Sequence, residues 1–385
     1  MKPKLSAIIL AAGLSSRMRE FKPLLPLAET TVIEHVADMF LEAGIYDIVV
    51  VTGYRAAELT PVLMRRQLRY AENDRYKEGM YSSVQAGVSA LSGDAEAFFL
   101  LPVDVPLVNQ HSIRLLARDF SQYHGDVTYP VFQGQRGHPP LVSAKLIPLI
   151  LAQSRSDGLR GLLAEQEPSA RDVELVDEGV LMDMDTPEDY RKLVERIETV
   201  GIPTQAECEA IFSRTETPVD AIEHGRIAAS VARALALELN QSGMHLNIRQ
   251  TEAAALLHDL AKGKRNHARV GGRILQSLGY GPVAASVFRH MDLDFSATDV
   301  ITETAVVYLA DKLIRRDRAV SIEERFAPAF EKYPPGHFLA SLIAQRFSTA
   351  KAIACEVEKR IGRPLADIIS AEGRRVKVNI DAERN

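Results

Sequence analysis

A mostly parallel α/β sheet in the first half, followed by an all-helical second half, is the fold class that this sequence predicts. Up to about Val200, short apolar runs alternate with helical stretches; from about Ala206 onward, strand-like runs nearly vanish. At 385 residues the chain is also long enough for two separate cores. Strands spaced by helices build right-handed βαβ units, so the first half reads as Rossmann-like.

The strands expected are 7–10, 48–52, 97–101, 127–130 and 172–175, each a short run rich in Val, Ile, Leu or Phe or an alternating one. Helices are expected over 31–43, 56–63, 81–90, 110–122 and 187–199. In the second half they are expected over 221–239, 251–261, 267–278, 282–289, 302–316 and 337–361, with Gly and Pro falling mostly between them. The domains are therefore placed at 1–200 and 219–345. A linker is expected at 201–218, where Gly201, Pro203 and Pro218 cluster, and a C-terminal helix and tail at 346–385. The tail from Glu372 is strongly charged and reads as a short strand or as disordered.

Composition narrows the function classes. A formal net charge of −5 gives no general attraction to nucleic acid or an anionic membrane. Cys208 and Cys355 form no CxxC pair, which argues against a disulfide framework and a thiolate zinc site. No apolar run nears the ~20 residues of a membrane span, and no signal-peptide core is present, so the expected location is cytoplasmic.

The opening segment, LSAIILAAGLSSRMREFKPLLPL at 5–27, is the most informative. An apolar strand breaks at Leu10 into the small residues Ala11, Ala12 and Gly13, then reaches Arg17 and Lys22. A loop without bulky side chains lets backbone N–H groups approach a phosphate chain, and two cations complete the cradle. Ligands of such sheets lie beyond the carboxyl ends of the strands. A phosphate chain held there calls for a divalent cation such as Mg²⁺ on hard oxygen ligands. Asp104, after the apolar run of FFLLPVDVPLV, is placed for this, as are Asp183 and Asp185 in MDMDTPEDY. The latter segment is also a good helix start, with Thr186 as N-cap and Pro187 after it.

These residues resemble the LAAGxSxRMGxxK signature of the MobA-like nucleotidyltransferases, with Arg19 where that family usually has Gly. The resemblance runs through 5–190. It implies NTP-dependent nucleotidyl transfer with Arg17 and Lys22 on the triphosphate, and Asp104 and Asp185 as Mg²⁺ ligands. NDRYKEGMYSSVQAG at 73–87 resembles the family's N-P-x-x-x-x-G-M-x-x-S segment, with Asp74 replacing its proline. Asn73, Ser82 and Ser83, with Thr52 in VTGY, are thereby implied at the nucleotide. GQRGHPPLV resembles the segment that molybdenum cofactor cytidylyltransferases place near the acceptor, which implies His138 there. In these families LAAG accompanies CTP and LAGG accompanies GTP, so Ala12 favours CTP.

The second half carries His224, the pair His258-Asp259, and Asp311 on separate helical segments. Neighbours on a helix lie about 100° apart, so both members of the pair can lean towards one ion. Imidazoles with carboxylates suit Mn, Fe, Co or Ni, and such an ion lowers the pKa of its bound water towards ~7. The order H…HD…D resembles the HD-domain metal-dependent phosphohydrolases. That implies these four as ligands, Asp259 at the chemistry, and Lys262, His267 and His290 as candidates for the substrate phosphate, the last two alternatively for a second metal.

The leading reading is a bifunctional enzyme. One half transfers CMP from CTP, or another NTP, to a molybdopterin-type or other phosphorylated small-molecule acceptor; the other is a phosphohydrolase. One alternative is a sugar- or alcohol-phosphate nucleotidylyltransferase. Another is a cofactor-binding insertion chaperone with a non-catalytic HD domain and a molybdoenzyme as partner. None of these readings involves nucleic acid or a membrane.

Overall fold

The computed structural model describes residues 3–18, 20–152, 158–296, 298–315 and 318–369. Arg19 and the charged tail lie outside these residues. The chain divides into two compact units, Met1–Val200 and Gly201–Asn385. Among the described residues, no helix is long and apolar enough to cross a membrane.

The first unit opens with β1 (Leu5–Leu10), a short hairpin of β2 (Pro26–Leu27) and β3 (Thr30–Thr31), then α1 (Val32–Ala43) and β4 (Asp47–Thr52). It continues with α2 (Ala56–Arg65), β5 (Arg69–Glu72), α3 (Met80–Ser89), β6 (Ala97–Pro102) and α4 (Gln110–Tyr123). β7 (Val127–Phe132), β8 (Gln135–Arg136), β9 (Leu141–Ser143), α5 (Ile147–Ala152), α6 (Gly158–Glu165), β10 (Ala170–Glu174) and α7 (Pro187–Ile197) complete it.

The main sheet runs β10-β7-β9-β6-β1-β4-β5, with β8 on β7. β1 pairs in parallel with β4 and β6. Ala7, Ile8 and Ile9 are fully buried, as expected for a central strand covered on both faces. Leu10 lies opposite Val51 and Pro102, so the loops after β1, β4 and β6 open along one edge. The sheet is mostly parallel; its antiparallel strands are β9, wedged between β6 and β7, and the short β8 on β7. Neither β9 nor β5 stood out in the sequence. The former has three residues behind Pro139-Pro140, and RYAE has no apolar alternation.

The second unit comprises α8 (Gln205–Thr215), α9 (Val219–Gln241), α10 (Ile248–Leu257), α11 (His267–Ser277), α12 (Gly281–Arg289) and α13 (Glu303–Lys312). A hairpin of β11 (Ile314–Arg315) and β12 (Arg318–Ala319) leads to α14 (Ile322–Lys332) and α15 (Ala340–Ile361). α10 and α13 pack on α9, and α11 packs on α12.

Three expectations are revised here. The interval 201–218 is not an open linker. Thr204 and Glu207 form a capping box that starts α8, and Cys208, Ile211 and Phe212 are buried. The helix expected to 316 stops at Lys312, where the chain turns into the β11–β12 hairpin. The helix expected to 261 stops at Leu257, so His258 is its C-cap and Asp259 lies in the following turn. The His258 ring supplies a reason: Nδ1 is 2.7 Å from the Ala255 carbonyl, the acceptor that the next helical N–H would use.

Candidate functional site

At the carboxyl edge of the sheet, the Ala11 N–H donates to the Val51 carbonyl at 2.9 Å, and the Tyr54 N–H to that of Ala12 at 3.3 Å. The loop is thus fixed where it leaves β1 and open beyond: a Cβ on Gly13 would meet nothing within 4 Å. Asp104 follows β6, and its carbonyl accepts from the Met184 N–H at 2.8 Å, which draws the 183–185 segment alongside. Thr186 and Asp189 form the capping box of α7, so the helix is capped without using the Asp185 carboxylate.

That carboxylate instead faces two cations. Lys22, 8% exposed, places Nζ 2.8 Å from Asp104 Oδ2 and 3.0 Å from Asp185 Oδ1. Arg17 Nη1 lies 2.6 Å from Asp185 Oδ2. Two carboxylates converging on one ammonium mark a cation position, and their hard oxygens fit Mg²⁺. The residues Leu10 to Ser15, Arg17, Lys22, Ser83, His138 and the acids Asp104, Asp183 and Asp185 line a cavity of about 510 Å³. Burial holds the His138 imidazole below its ordinary value, against the opposing pull of Asp104 and Asp183. The Asp183 carboxyl is pushed up by burial and by the charges of Asp185 and Asp104.

Thr52, Asn73 and Ser82 are not among the residues lining this cavity. The Asn73 amide donates to Ser82 Oγ and Ser83 Oγ, both at 2.9 Å, and accepts from the Arg75 N–H at 3.0 Å. Ser82 Oγ donates to backbone carbonyls of Arg75 and Gly79. Thr52 is fully buried in β4. These groups shape the wall from behind.

In the second unit, four imidazoles surround two carboxylates. His224 Nε2 is 3.1 Å from Asp311 Oδ1, and His267 Nε2 is 3.2 Å from Asp259 Oδ1. His290 Nε2 lies 3.6 Å from the same Asp259 oxygen. His258 and His290 are both C-caps, and each ring sets Nδ1 on the carbonyl three residues back, at 2.7 and 2.8 Å. That bond fixes Nδ1 as the protonated nitrogen and leaves Nε2 with its lone pair turned inward. Among the described residues His258 Nε2 is buried with no hydrogen bond; the nearest carboxylate oxygens are 3.7 and 3.8 Å away. Such an orphaned lone pair beside carboxylates fits a metal ion.

Two sets have their ligand atoms within 4.8 Å of one another: His224, His258 and Asp259, and Asp259, His267 and His290. Asp259 belongs to both. Burial alone would push the Asp259 and Asp311 carboxyls up, yet both lie well below the usual range. The hydrogen bond from His267 leads in holding Asp259 there, while Lys312 and His224 hold Asp311. Lys312 is itself buried, with Nζ 2.5 Å from Asp311 Oδ2 and 3.0 Å from the His290 carbonyl.

Comparison with known proteins agrees with both halves. Residues 7–170 match the family model described as MobA-like NTP transferase domain. The molybdenum cofactor cytidylyltransferase of Escherichia coli (strain K12) is 30% identical over 193 residues, spanning 50% of this chain and 96% of that protein. The chain belongs to the MobA-like NTP transferase family. Residues 221–316 match the HD domain, so a nucleotidyltransferase and an HD domain share one polypeptide. The nicotine blue oxidoreductase of Paenarthrobacter nicotinovorans is 28% identical, covering 50% of this chain and 97% of that protein. A solved nucleotidyl transferase from Methanothermobacter thermautotroptrophicus is 26% identical, with a TM-score of 0.44, covering 51% of this chain and 98% of its own.

Sequence reasoning missed several residues of both cavities. Tyr76 and Lys77 line the first from a 3₁₀ turn within the NDRYKEGM segment, a signal that was available. Arg315 and Arg325 line the second, and Arg325 lies on α14, beyond the HD match. No motif spacing connects it to the histidines.

Proposed function

We propose that the first unit transfers CMP from CTP to the terminal phosphate of a molybdopterin-type acceptor, releasing pyrophosphate. The observation that carries this is the convergence of Lys22 on Asp104 and Asp185 beneath a loop open at Gly13. The 30% identity to a molybdenum cofactor cytidylyltransferase supports the choice of acceptor and nucleotide. The triphosphate lies along the Ala11–Arg17 backbone, and Arg17 and Lys22 offset the charge that grows on the leaving pyrophosphate. The acceptor phosphate oxygen attacks the α-phosphorus, and the bond to the bridging oxygen breaks. Asp104 and Asp185 would hold Mg²⁺, which when bound shields phosphate charge and aligns the reacting oxygens. His138, neutral in its buried position, orients the acceptor without adding charge.

For the second unit we propose hydrolysis of a phosphate ester or anhydride. His224, His258, Asp259 and Asp311 would hold one divalent transition metal, while Asp259, His267 and His290 would hold a second. The shared Asp259 supports ligation rather than phosphate contact for His267 and His290. When bound, the metals supply Lewis acidity and a water of lowered pKa. Lys262, 3.3 Å from Asp259 Oδ2, stands ready at the phosphate.

The deciding experiment is pyrophosphate release with Mg²⁺ and CTP, GTP, ATP or UTP, with and without molybdenum cofactor, for the wild type and Asp104→Ala. Release requiring CTP and the cofactor, and lost in the variant, is expected. No cofactor-dependent release with any nucleotide would overturn the assignment and redirect it to sugar or alcohol phosphates.

A further inference from the structure

The second unit's cavity has a volume of about 750 Å³, far more than one phosphate at the histidine cluster requires. Besides His224, Asp259, His267 and Asp311, its lining includes the cations Lys262, Arg315 and Arg325 and the carboxylates Asp220 and Glu223. Lys262 belongs to the metal end, since it contacts Asp259 at 3.3 Å. Arg325 differs. Among the described residues its Nε is buried and makes no hydrogen bond. A buried N–H donor of a permanently charged group is costly to leave unpaired, so such a group calls for an anionic partner.

Its own helix does not supply that partner. Glu323 pairs with Lys351 at 2.7 Å, and Glu324 caps the helix by accepting from the Ser321 N–H at 3.1 Å. The helix is also rigidly held. Phe326 and Phe330 pack edge-on against Phe347 of α15, with centroids 5.6 and 5.4 Å apart, and Ile322 is buried. Arg325 is therefore carried to the cavity on a fixed support, and a fork of N–H donors held in place matches a phosphate oxygen pair.

We propose that Arg325 is an anion clamp that selects substrates with at least two phosphoryl groups, one at the metal ligands and another on α14. The inference rests on the phosphohydrolase reading of this site. α14 begins at Ile322, so the clamp lies outside the segment 221–316 that matches the HD domain. Arg315, from β11, is a further cation in the lining of the same cavity. A simple monoester fills the metal end and leaves Arg325 unpaired; a chain of phosphates satisfies both.

The test uses the full-length protein loaded with Mn²⁺ and p-nitrophenyl phosphate as a monoester substrate. Inhibition by inorganic tripolyphosphate and by orthophosphate is compared for the wild type, Arg325→Gln and Arg325→Lys. Independently of turnover, tripolyphosphate is titrated calorimetrically into the same proteins carrying Lys22→Ala, which removes the phosphate-binding cation of the other unit. Tripolyphosphate is expected to bind at least tenfold more tightly than orthophosphate. Arg325→Gln should weaken tripolyphosphate by about 10- to 100-fold, with orthophosphate inhibition and metal content unchanged, and Arg325→Lys should recover part of the loss. Equal effects on both anions, or none, would overturn the clamp. Absence of any p-nitrophenyl phosphate turnover would count against the hydrolase reading instead, and calorimetry would still decide the clamp. An Arg325→Gln that loses metal while Arg325→Lys does not bind tripolyphosphate would also overturn it.

Discussion

Gly13 stands where the proposed nucleotide would approach the backbone, so substitution there tests binding apart from folding. A methyl group there meets no protein atom within 4 Å, so Gly13→Ala should fold with an unchanged Tm. Its Cβ would stand in the cavity where the triphosphate is proposed to lie, and KM for the nucleotide should rise about tenfold or more, the equivalent of one lost charge-assisted contact. Lys22→Met should act differently. It leaves Asp104 and Asp185 facing each other without their ammonium, so turnover is expected to fall at least a hundredfold in pyrophosphate assays. Glu34 provides a pH test of stability. Burial pushes its carboxyl up, but the Thr31 hydroxyl and Arg65 outweigh this and bring it below the ordinary 4.5. A lowered native value means stability that is present above 4.5 and lost as pH falls through the native value. Glu34→Gln should therefore cost about 1 kcal/mol at pH 7, with the difference from wild type shrinking below pH 4.5 in urea titrations.

Between elements, the approach of α9 to α10 matters most for the histidine cluster. A Cβ on Gly225 would lie 2.3 Å from the Leu256 carbonyl oxygen, so the two helices touch through this glycine. His224 is its neighbour on α9, and His258 follows α10 by one residue. Gly225→Ala should force the helices apart, costing about 1–3 kcal/mol, and should reduce bound metal measured by elemental analysis. Ala substitution at the exposed Gly243, which meets nothing within 4 Å, should leave metal content unchanged.

For the whole chain, the division at Val200 makes each unit a candidate for separate expression. Residues 1–200 and 201–385 are expected to be soluble, whereas a piece starting at 219 loses α8. That helix buries Ile211 and Phe212, and the chain after it donates Thr217 Oγ1 to the Leu260 carbonyl at 2.9 Å beside the histidine turn. Metal binding to 201–385 should be visible thermally. At a concentration one hundred times Kd a ligand adds about 2.7 kcal/mol, so EDTA should lower Tm by roughly 5–10 °C in the wild type but not in His258→Ala.

Local sequence was sufficient for the class of each half, because burial on both faces writes continuous apolar runs at β1, β4 and β6, and helical periodicity fills the second half. The loop after β1 and the H…HD…D order were legible for a related reason: each is a short motif in which chemistry fixes residue type. β9 and β5 were not legible, being too short or too polar to declare a period. Nor was α8, because Gly201 and Pro203 just before it resemble linker signals until its capping box is seen. Only the tertiary structure decided that Asp185 faces Lys22 while Thr186 and Asp189 cap the helix, that Asn73 serves Ser82 and Ser83, and that Asp259 belongs to two ligand sets. It alone brought Arg325 to the histidine cavity. The reason is physical. A motif specifies which groups are available within one segment, but which groups meet depends on packing between segments far apart in the chain, and no local pattern encodes that distance.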